Sequence, residues 1–453
     1  HVDCTMIPIP GSIAQSPPFR SPLLIQIAPS IFVDNYFTAC DASTPTTTTS
    51  PPSSTSASTT PSTISLSSRY ISSVGLDNLG SYSYSGIDLS ILYNNILNPW
   101  VYSPLVEWLP MWLAPNSVTS LGFLGIITAF VLAANNAPAL VEPMPMAACI
   151  AAGVGILFYQ TMDNIDGKQA RRTGASTPLG ELFDHVVDAL STPLMLTATA
   201  AVLQLSVPYA MILIWCGVVP FHMSHWEEYY TGSLILGKYN GPTEVVFLQA
   251  WLCIIGGLFP SLFTSQLATG YAVTVGQAII LFSVLPVAYT CIGNVVSLLR
   301  WAAAHQQPKF ALLPGLTPFL IYSLTYASWM YSSPALVSMY PYTFVLAMTL
   351  NFGYIEMRLI VQRMCKEPCV AAYLLPQAPA IFALVLAPAS DSALLAVALI
   401  NGLTFTFMAN SVASQLCELL NIKVFSLGPR YPEQLLASAD APDRPQAAEL
   451  EEE

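Results

Sequence analysis

The stretch Asp163-Asn-Ile-Asp166-Gly167-Lys-Gln-Ala170-Arg171, followed eight residues later by Gly180-Glu-Leu-Phe-Asp184-His-Val-Val-Asp188, decides the fold of this chain. It carries four aspartates in a chain that is 54% hydrophobic and only 9% charged. Because a charged side chain in or at a bilayer is costly, a cluster of ionisable residues in such surroundings indicates a functional site. The stretch therefore predicts a site that is built into a membrane protein.

The composition outside this stretch points to the same class. Ordinary soluble domains carry about 25% charged residues, far more than this chain does. The formal net charge of −12 comes partly from the acidic tail at 449–453 and partly from the aspartates themselves. Clustered Lys and Arg, which nucleic-acid binding requires, are missing from the pattern. The nine cysteines lie mostly in apolar runs and predict neither a zinc site nor a disulfide framework. We expect an all-α polytopic membrane protein with no nucleic-acid partner.

Three regions follow from the local composition. Residues 1–68 are rich in Ser, Thr and Pro, which predicts a disordered N-terminal region. Residues 69–430 form the predicted membrane domain, and residues 431–453 form an acidic tail. Within the domain, the segment from Ile87 to Leu113 is broken by prolines and carries Trp100, Trp108 and Trp112. Such a segment suits the membrane surface and predicts an interfacial amphipathic helix before the first span.

Apolar runs long enough to cross a bilayer, which takes roughly 20 residues each, predict about ten transmembrane helices. They lie near Val118 to Ala134, Met146 to Met162, Leu179 to Leu203, Tyr209 to His222, Thr243 to Phe259, Val273 to Leu298, Leu312 to Tyr331, Leu336 to Glu356, Ala371 to Leu386 and Ala393 to Leu416. The loops on the side of the four aspartates contain Lys and Arg, whereas the opposite loops contain none. Basic residues are enriched in cytosolic loops, so we expect the site and both termini to face the cytosol.

The spacing of the four aspartates predicts an acidic pocket. Asp163 and Asp166 are three residues apart and Asp184 and Asp188 are four apart, so each pair shares one face of a helix. One or two divalent cations, with two the favoured number, would relieve the repulsion between them. A site made only of carboxylate oxygens suits Mg²⁺ or Mn²⁺ and argues against zinc.

The other fixed residues of the stretch suit a phosphorylated ligand. Gly167 and Gly180 remove side chains where two helix ends, or a helix and a diphosphate, come close. Arg171, and with it Arg172, can bind a phosphate through bidentate hydrogen bonds. Any one of these residues is weak evidence, since an aspartate near a helix end is often a solvated cap. The eight fixed positions together are strong evidence, because they serve one chemical purpose.

The pattern Asp163-x2-Asp166-Gly167-x2-Ala170-Arg171-x8-Gly180-x3-Asp184-x3-Asp188 resembles the signature of the CDP-alcohol phosphotransferases at every fixed position. The resemblance extends to the eukaryotic choline/ethanolamine phosphotransferases through Trp112-Leu-Ala-Pro-Asn116, the run 166–172, the run 178–185 and His225-Trp226. The overall hydropathy pattern also agrees with this family over about residues 87 to 430. The resemblance implies transfer of phosphocholine or phosphoethanolamine from CDP-choline or CDP-ethanolamine to diacylglycerol, with release of CMP.

The resemblance also implies roles for individual residues. Asp163, Asp166 and Asp184 would hold the metal, and Asp188 would act as a ligand or as the base. Substrate binding is assigned to Asn116, Asp163, Gly167, Ala170, Arg171 and Gly180. His185 lies four residues after Glu181, so the two can share a helix face, and we favour this dyad over Asp188 as the catalytic base. The alternative for His185 is a packed histidine that spaces the site.

Further expectations follow from the same resemblance. It implies a homodimer in the membrane of the endoplasmic reticulum or Golgi. A different acceptor alcohol, inositol or a ceramide, is the alternative within the enzyme class. An ion-coupled transporter with an acidic site is the alternative outside it, disfavoured because no inverted repeat with matching broken helices is evident. The pattern leaves the choice between choline and ethanolamine open.

Overall fold

The computed structural model describes residues 70–79, 82, 85–268, 272–369 and 375–427, in which α-helices dominate. The predicted disordered region and acidic tail lie outside these residues, so both domain boundaries stay predictions. The helices of the described part are α1 Ser73–Leu79, α2 Ser103–Trp108, α3 Pro115–Asn136, α4 Met146–Arg172, α5 Pro178–Val202, α6 Val207–Thr231, α7 Val246–Leu258, α8 Val275–Ala304, α9 Leu313–Ser332, α10 Pro334–Met339, α11 Pro341–Met364, α12 Ala378–Leu386 and α13 Asp391–Leu420.

Shorter elements connect and extend these helices. Strands β1 Gly86–Asp88 and β2 Leu234–Leu236 pair in parallel and join the segment before α2 to the loop after α6. Two π-helical stretches, Tyr93–Tyr102 and Gly241–Val245, lead directly into α2 and α7, and 3₁₀ turns occupy Lys309–Leu312 and Leu375–Gln377.

The stretch before the first span is helical, as the sequence predicts. It comprises the π-helical turns at 93–102 and α2. The tryptophans Trp100, Trp108 and Trp112 are each more than 70% exposed, although tryptophan is usually well buried. Their exposed rings are what a helix lying on a membrane surface requires.

The predicted fold class is confirmed. In the described ranges, nine helical segments are long and apolar enough to span a membrane, and each coincides with one predicted span. The remaining prediction, Ala371 to Leu386, is described only from residue 375 and forms the nine-residue helix α12. Both ends of this segment are hydrogen-bonded to α9. Gln377 donates to the Pro318 carbonyl, and Trp329 donates to the Pro388 carbonyl. The described part of this segment is thus a 3₁₀ turn and a short α-helix that pack beside α9.

The interior position of α5 follows from its composition. Between Ser191 and Val202 it consists largely of Ala, Thr and other modest side chains, which let neighbouring helices approach closely. It is almost entirely enclosed, as is α11, whereas α8 is mostly exposed. The helix that carries half of the aspartates is thus held by packing on all sides.

Helices α3 and α4 make the closest backbone contact of the site region. A Cβ atom on Gly125 would lie 2.5 Å from the Gly155 carbonyl oxygen, and one on Gly155 would lie 2.6 Å from the Gly125 carbonyl oxygen. Only glycine permits such an approach. The pair fixes how α3 lies against the helix that carries Asp163 and Asp166.

Candidate active site

The four aspartates of the motif meet where the end of α4 faces the beginning of α5; we call them the acidic cluster. Carboxylate oxygens of Asp163, Asp184 and Asp188 lie within 4.8 Å of one another. Asp166, one turn beyond Asp163 on α4, interacts directly with Asp184. The predicted convergence of two acidic helix faces is therefore what the structure contains.

Hydroxyl groups hold two of these carboxylates. Thr119 of α3 donates to Asp166, and Tyr159 of α4 donates to Asp188. Oδ1 of Asp163 and Oδ1 of Asp184 are buried and have no hydrogen-bond partner among the described residues. A buried charged oxygen without a partner is strongly unfavourable. Convergent, unsatisfied carboxylate oxygens fit a hard divalent cation such as Mg²⁺ or Mn²⁺.

Asn116 lines an open cleft at the N-terminal ends of α3 and α5, and Gly180 lies next to Asn116. The Asn116 side chain donates to the Val424 carbonyl at 2.8 Å, and a Cβ on Gly180 would lie 3.6 Å from the Asn116 oxygen. Thr177 caps α5 by accepting from the Gly180 amide at 3.1 Å. The cleft, about 240 Å³, is lined by residues 114–116, 173–179, 420–424 and 426–427. Its lining includes Asn116 but none of the four aspartates.

The remaining motif residues of α4 differ in exposure. A Cβ on Gly167 would meet only an Arg171 nitrogen at 3.7 Å, and Arg171 is exposed. Arg172 instead donates to the carbonyls of Val106 and Leu109 and so ties α2 to α4. Of the two arginines considered for phosphate binding, Arg172 thus has a structural task.

A second group of polar side chains begins at Glu181, one turn before Asp184 on α5, and includes a positively charged arginine. It consists of Glu181, Glu228, Arg363 and Tyr82, and we call it the arginine cluster. Arg363 of α11 pairs with Glu181 and, at 3.0 Å, with Glu228 of α6. The Tyr82 hydroxyl donates to Glu181 at 2.7 Å. Burial, reinforced by the Glu181 carboxylate, raises the pKa of Tyr82, so this hydroxyl stays a donor at neutral pH.

His185 lies between the two clusters on α5. Its Nδ1 lies 3.4 Å from Nε2 of His225 on α6. Glu181, the partner predicted for His185, is engaged with Arg363 and Tyr82. The Glu181 and His185 dyad therefore stays a prediction, and His225 is a neighbour that the sequence argument left as structural.

Several residues at the site escaped sequence reasoning. Two of them had a usable signal: Thr119 lies three residues after Asn116, and Tyr159 four residues before Asp163, so each shares a helix face with a motif residue. Glu228 and Arg363 had none, because only the packing of distant helices brings them to α5.

Two further acids, Glu244 and Glu356, have structural partners. Glu244 accepts hydrogen bonds from the Ser90 hydroxyl and the Asn240 amide, which anchors the segment before α2. Glu356 is buried and lies 2.6 Å from Nδ1 of His222, whose ring stacks on Phe319. Neither contact belongs to the acidic cluster.

Comparison with known proteins identifies related sequences. The family model of the CDP-alcohol phosphatidyltransferases matches residues 112–276. CDP-alcohol phosphatidyltransferase class-I family protein 2 of Dictyostelium discoideum is 35% identical over 79% of this chain and 88% of its own length. Choline/ethanolaminephosphotransferase 1 of Arabidopsis thaliana is 33% identical over 66% and 80%, and cholinephosphotransferase 1 of Homo sapiens is 30% identical over 66% and 74%. The region matched by the family model includes the acidic cluster and the cleft residues 114–116 and 173–179.

Proposed function

Since this chain belongs to the CDP-alcohol phosphatidyltransferase family, we propose that it transfers phosphocholine or phosphoethanolamine from the CDP-alcohol to diacylglycerol. It is a CDP-alcohol phosphotransferase and an integral membrane protein with nine long apolar helices in its described part. The observation that carries the proposal is the acidic cluster, with two buried carboxylate oxygens that have no hydrogen-bond partner among the described residues.

The acidic cluster would hold the divalent metal that this family uses. Asp163, Asp166, Asp184 and Asp188 are the proposed ligands, with Mg²⁺ or Mn²⁺ as the ion and two ions as the expected number. Bound there, the metal would neutralise charge on the diphosphate of the donor and on the departing CMP. Thr119 and Tyr159 orient two of the carboxylates, as residues that support metal ligands commonly do.

The CDP-alcohol would occupy the cleft between α3, the loop before α5 and residues 420–427. Asn116 lines the cleft and would donate to the diphosphate with the amide hydrogen that the Val424 carbonyl does not take, and Gly180 adds no side chain beside it. Gly167, Ala170 and the exposed Arg171 would face the phosphates from α4. Arg171 is suited to bidentate phosphate binding because its guanidinium is exposed.

The acceptor hydroxyl of diacylglycerol would attack the β-phosphorus of the donor. An oxygen–phosphorus bond forms, the bond between the β-phosphorus and the bridging oxygen breaks, and CMP leaves with that oxygen. The hydroxyl proton would pass to His185. Asp188 is the poorer base, because it already accepts from Tyr159 and a metal-bound carboxylate binds protons weakly. Glu181 would act with His185 by holding the start of α5 in place through Arg363 and Tyr82.

The cellular setting is also proposed. Lys and Arg lie in the loops on the side of the acidic cluster, which supports a cytosolic active site. CDP-alcohols are water-soluble, so a cytosolic site in the endoplasmic reticulum or Golgi membrane would have access to them. A homodimer is the expected assembly.

The test is CMP release by the purified full chain in detergent micelles that contain dioleoylglycerol. We expect release only with a CDP-alcohol, the lipid and Mg²⁺ or Mn²⁺ present together, and loss of release in Asp163→Asn. Competition between CDP-choline and CDP-ethanolamine assigns the head group. Release with inositol or ceramide in place of dioleoylglycerol would replace the proposed acceptor. Absence of release under all these conditions would refute the proposed reaction.

A further inference from the structure

After its last helix, α13, the chain reaches the cleft; we call residues 421–427 the cleft segment. Asn421 ends α13 in the left-handed conformation, with φ 50°, and Lys423 and Ser426 then form an antiparallel bridge. The lining of the cleft includes residues of this segment together with residues 114–116 and 173–179. The cleft is therefore built from parts of the chain that are more than 200 residues apart in sequence.

Two contacts hold the cleft segment against the helices that begin at the cleft. The Asn116 side chain donates to the Val424 carbonyl at 2.8 Å, which ties the segment to the start of α3. The Phe425 ring packs edge-to-face on Phe183 of α5, with ring centroids 5.7 Å apart. Lys423 directly precedes these two anchored residues. Its backbone position relative to α3 and α5 is therefore set by the fold, although its side chain is exposed.

Lys423 supplies the positive charge of the cleft. Among the described residues that line the cleft, it is the one charged residue. It also takes part in none of the ion pairs that the described residues form. Helices α3 and α5 both begin at the cleft, and the partial positive charge of a helix N-terminus adds to that of the ammonium group. A cleft with this charge and no lining acid is suited to an anionic ligand.

The cleft lies one helical turn from the acidic cluster along two helices. Three residues after Asn116, Thr119 donates to Asp166. On α5, Asp184 comes four residues after Gly180. These steps correspond to roughly 5–6 Å along each helix axis. A donor whose β-phosphate reacts at the acidic cluster would thus extend its nucleotide into the cleft. The phosphate that belongs to this nucleotide is the α-phosphate, which leaves with CMP.

We propose that Lys423 binds the α-phosphate of the CDP-alcohol and holds it as part of the departing CMP. This inference rests on the proposed function and adds a donor-binding residue outside the region matched by the family model. When the bond between the bridging oxygen and the β-phosphorus breaks, its electron pair stays on that oxygen. The α-phosphate therefore gains negative charge, which a nearby ammonium group stabilises. Lys423 transfers no proton in this step. Arg171 does not line the cleft, so the two cations serve different phosphates.

The experiment compares the binding of CMP and of cytidine to the purified full chain in detergent with Mg²⁺, measured by calorimetry. Cytidine lacks the phosphate and reports on the rest of the cleft. We expect Lys423→Met to weaken CMP binding about 10-fold, a modest loss for a hydrogen bond to a charged group, because Lys423 is exposed to water. Cytidine binding should not change. Lys423→Arg keeps the charge and should retain most of the affinity for CMP.

Turnover supplies a second measurement and a matched control. Lys423→Met should raise the KM for the CDP-alcohol by a similar factor and leave the KM for dioleoylglycerol unchanged. Lys309→Met is the control, since Lys309 is also exposed, lies in the 3₁₀ turn before α9 and does not line the cleft. It removes the same charge and should bind CMP as the wild-type chain does.

Four results would overturn the inference. They are unchanged CMP binding in Lys423→Met, equal losses of affinity for CMP and cytidine in that variant, an equal loss of CMP affinity in Lys423→Arg, and an equal loss in Lys309→Met. In each case CMP release by the wild-type chain still stands, so the proposed transferase survives. Absence of wild-type release would instead refute the proposed function, and this inference with it.

Discussion

The acidic cluster and the arginine cluster both contain carboxylates of α5, yet these buried carboxylates are compensated in opposite ways. In the arginine cluster, the guanidinium of Arg363 lies between Glu181 and Glu228. In the acidic cluster, the neutral hydroxyls of Thr119 and Tyr159 supply donors but no charge. Buried acids that are paired with an arginine stabilise the structure. Buried acids whose only donors are neutral hydroxyls can still bind a metal ion.

The largest effect is expected at the acidic cluster and concerns activity. Asp184→Asn should lower CMP release at least about 1,000-fold, because it removes a proposed ligand of the metal ion that would neutralise charge on the transferring phosphoryl group. The fold should persist, since the change also relieves repulsion among the aspartates. Release and thermal unfolding are measured together. Asp391→Asn, at an exposed helix start, is the control, and more than a tenth of wild-type release in Asp184→Asn would contradict the expectation.

The arginine cluster should show the converse, a loss of stability. Arg363→Met leaves Glu181 and Glu228 buried without their cation, and breaking a buried pair typically costs about 3–5 kcal/mol. Chemical unfolding in detergent measures this. Arg300→Met, at an exposed position near the end of α8, serves as the control. A similar, small loss in both variants would mean that the arginine cluster contributes little.

Metal addition should distinguish the two clusters directly. A ligand present at about 100 times its dissociation constant stabilises the folded state by roughly 2.7 kcal/mol. Mg²⁺ or Mn²⁺ should therefore raise the melting temperature of the wild-type chain, and this shift should vanish in Asp163→Asn. It should persist in Glu228→Gln. An equal shift in Asp163→Asn would place the cation elsewhere.

The smallest effect is expected for Tyr82→Phe, which deletes one donor to Glu181. The loss of one hydrogen bond typically costs about 1 kcal/mol. Because burial raises the pKa of Tyr82 in the folded state, the contribution should be complete below the unfolded pKa of about 10 and should decline only at higher pH. Unfolding of both proteins at pH 7 and pH 9 measures it. A difference that disappears between these values would contradict the assignment of the donor.

The sequence predicted the acidic cluster because its members are close along the chain and helical geometry is regular. Asp163 and Asp166, or Asp184 and Asp188, share a face whatever the rest of the fold does. The spans were predictable for the same reason, since each is a local run of apolar residues. The segment beside α9 was predicted as one helix from Ala371 to Leu386, and its described part is a 3₁₀ turn followed by α12. Its bonds to Pro318 and Trp329 arise from tertiary packing that no local pattern contains.

The arginine cluster was beyond prediction for a physical reason. Arg363 lies 182 residues from Glu181, and their contact exists only because α11 packs against α5 and α6. His225 likewise stood in a recognised motif, but its link to His185 depends on how α6 rotates against α5. Such contacts follow from tertiary packing, which a single sequence specifies but does not display.

The contact between Gly125 and Gly155 has a consequence for which substitutions this chain tolerates. A single methyl group at either position would push α3 from α4, and Asp163 lies two turns beyond Gly155 on the displaced helix. A saturation screen scored by lipid synthesis should therefore show an intolerant spot in the middle of the bilayer, far from any substrate. Substitutions there would lower activity although every motif residue is intact.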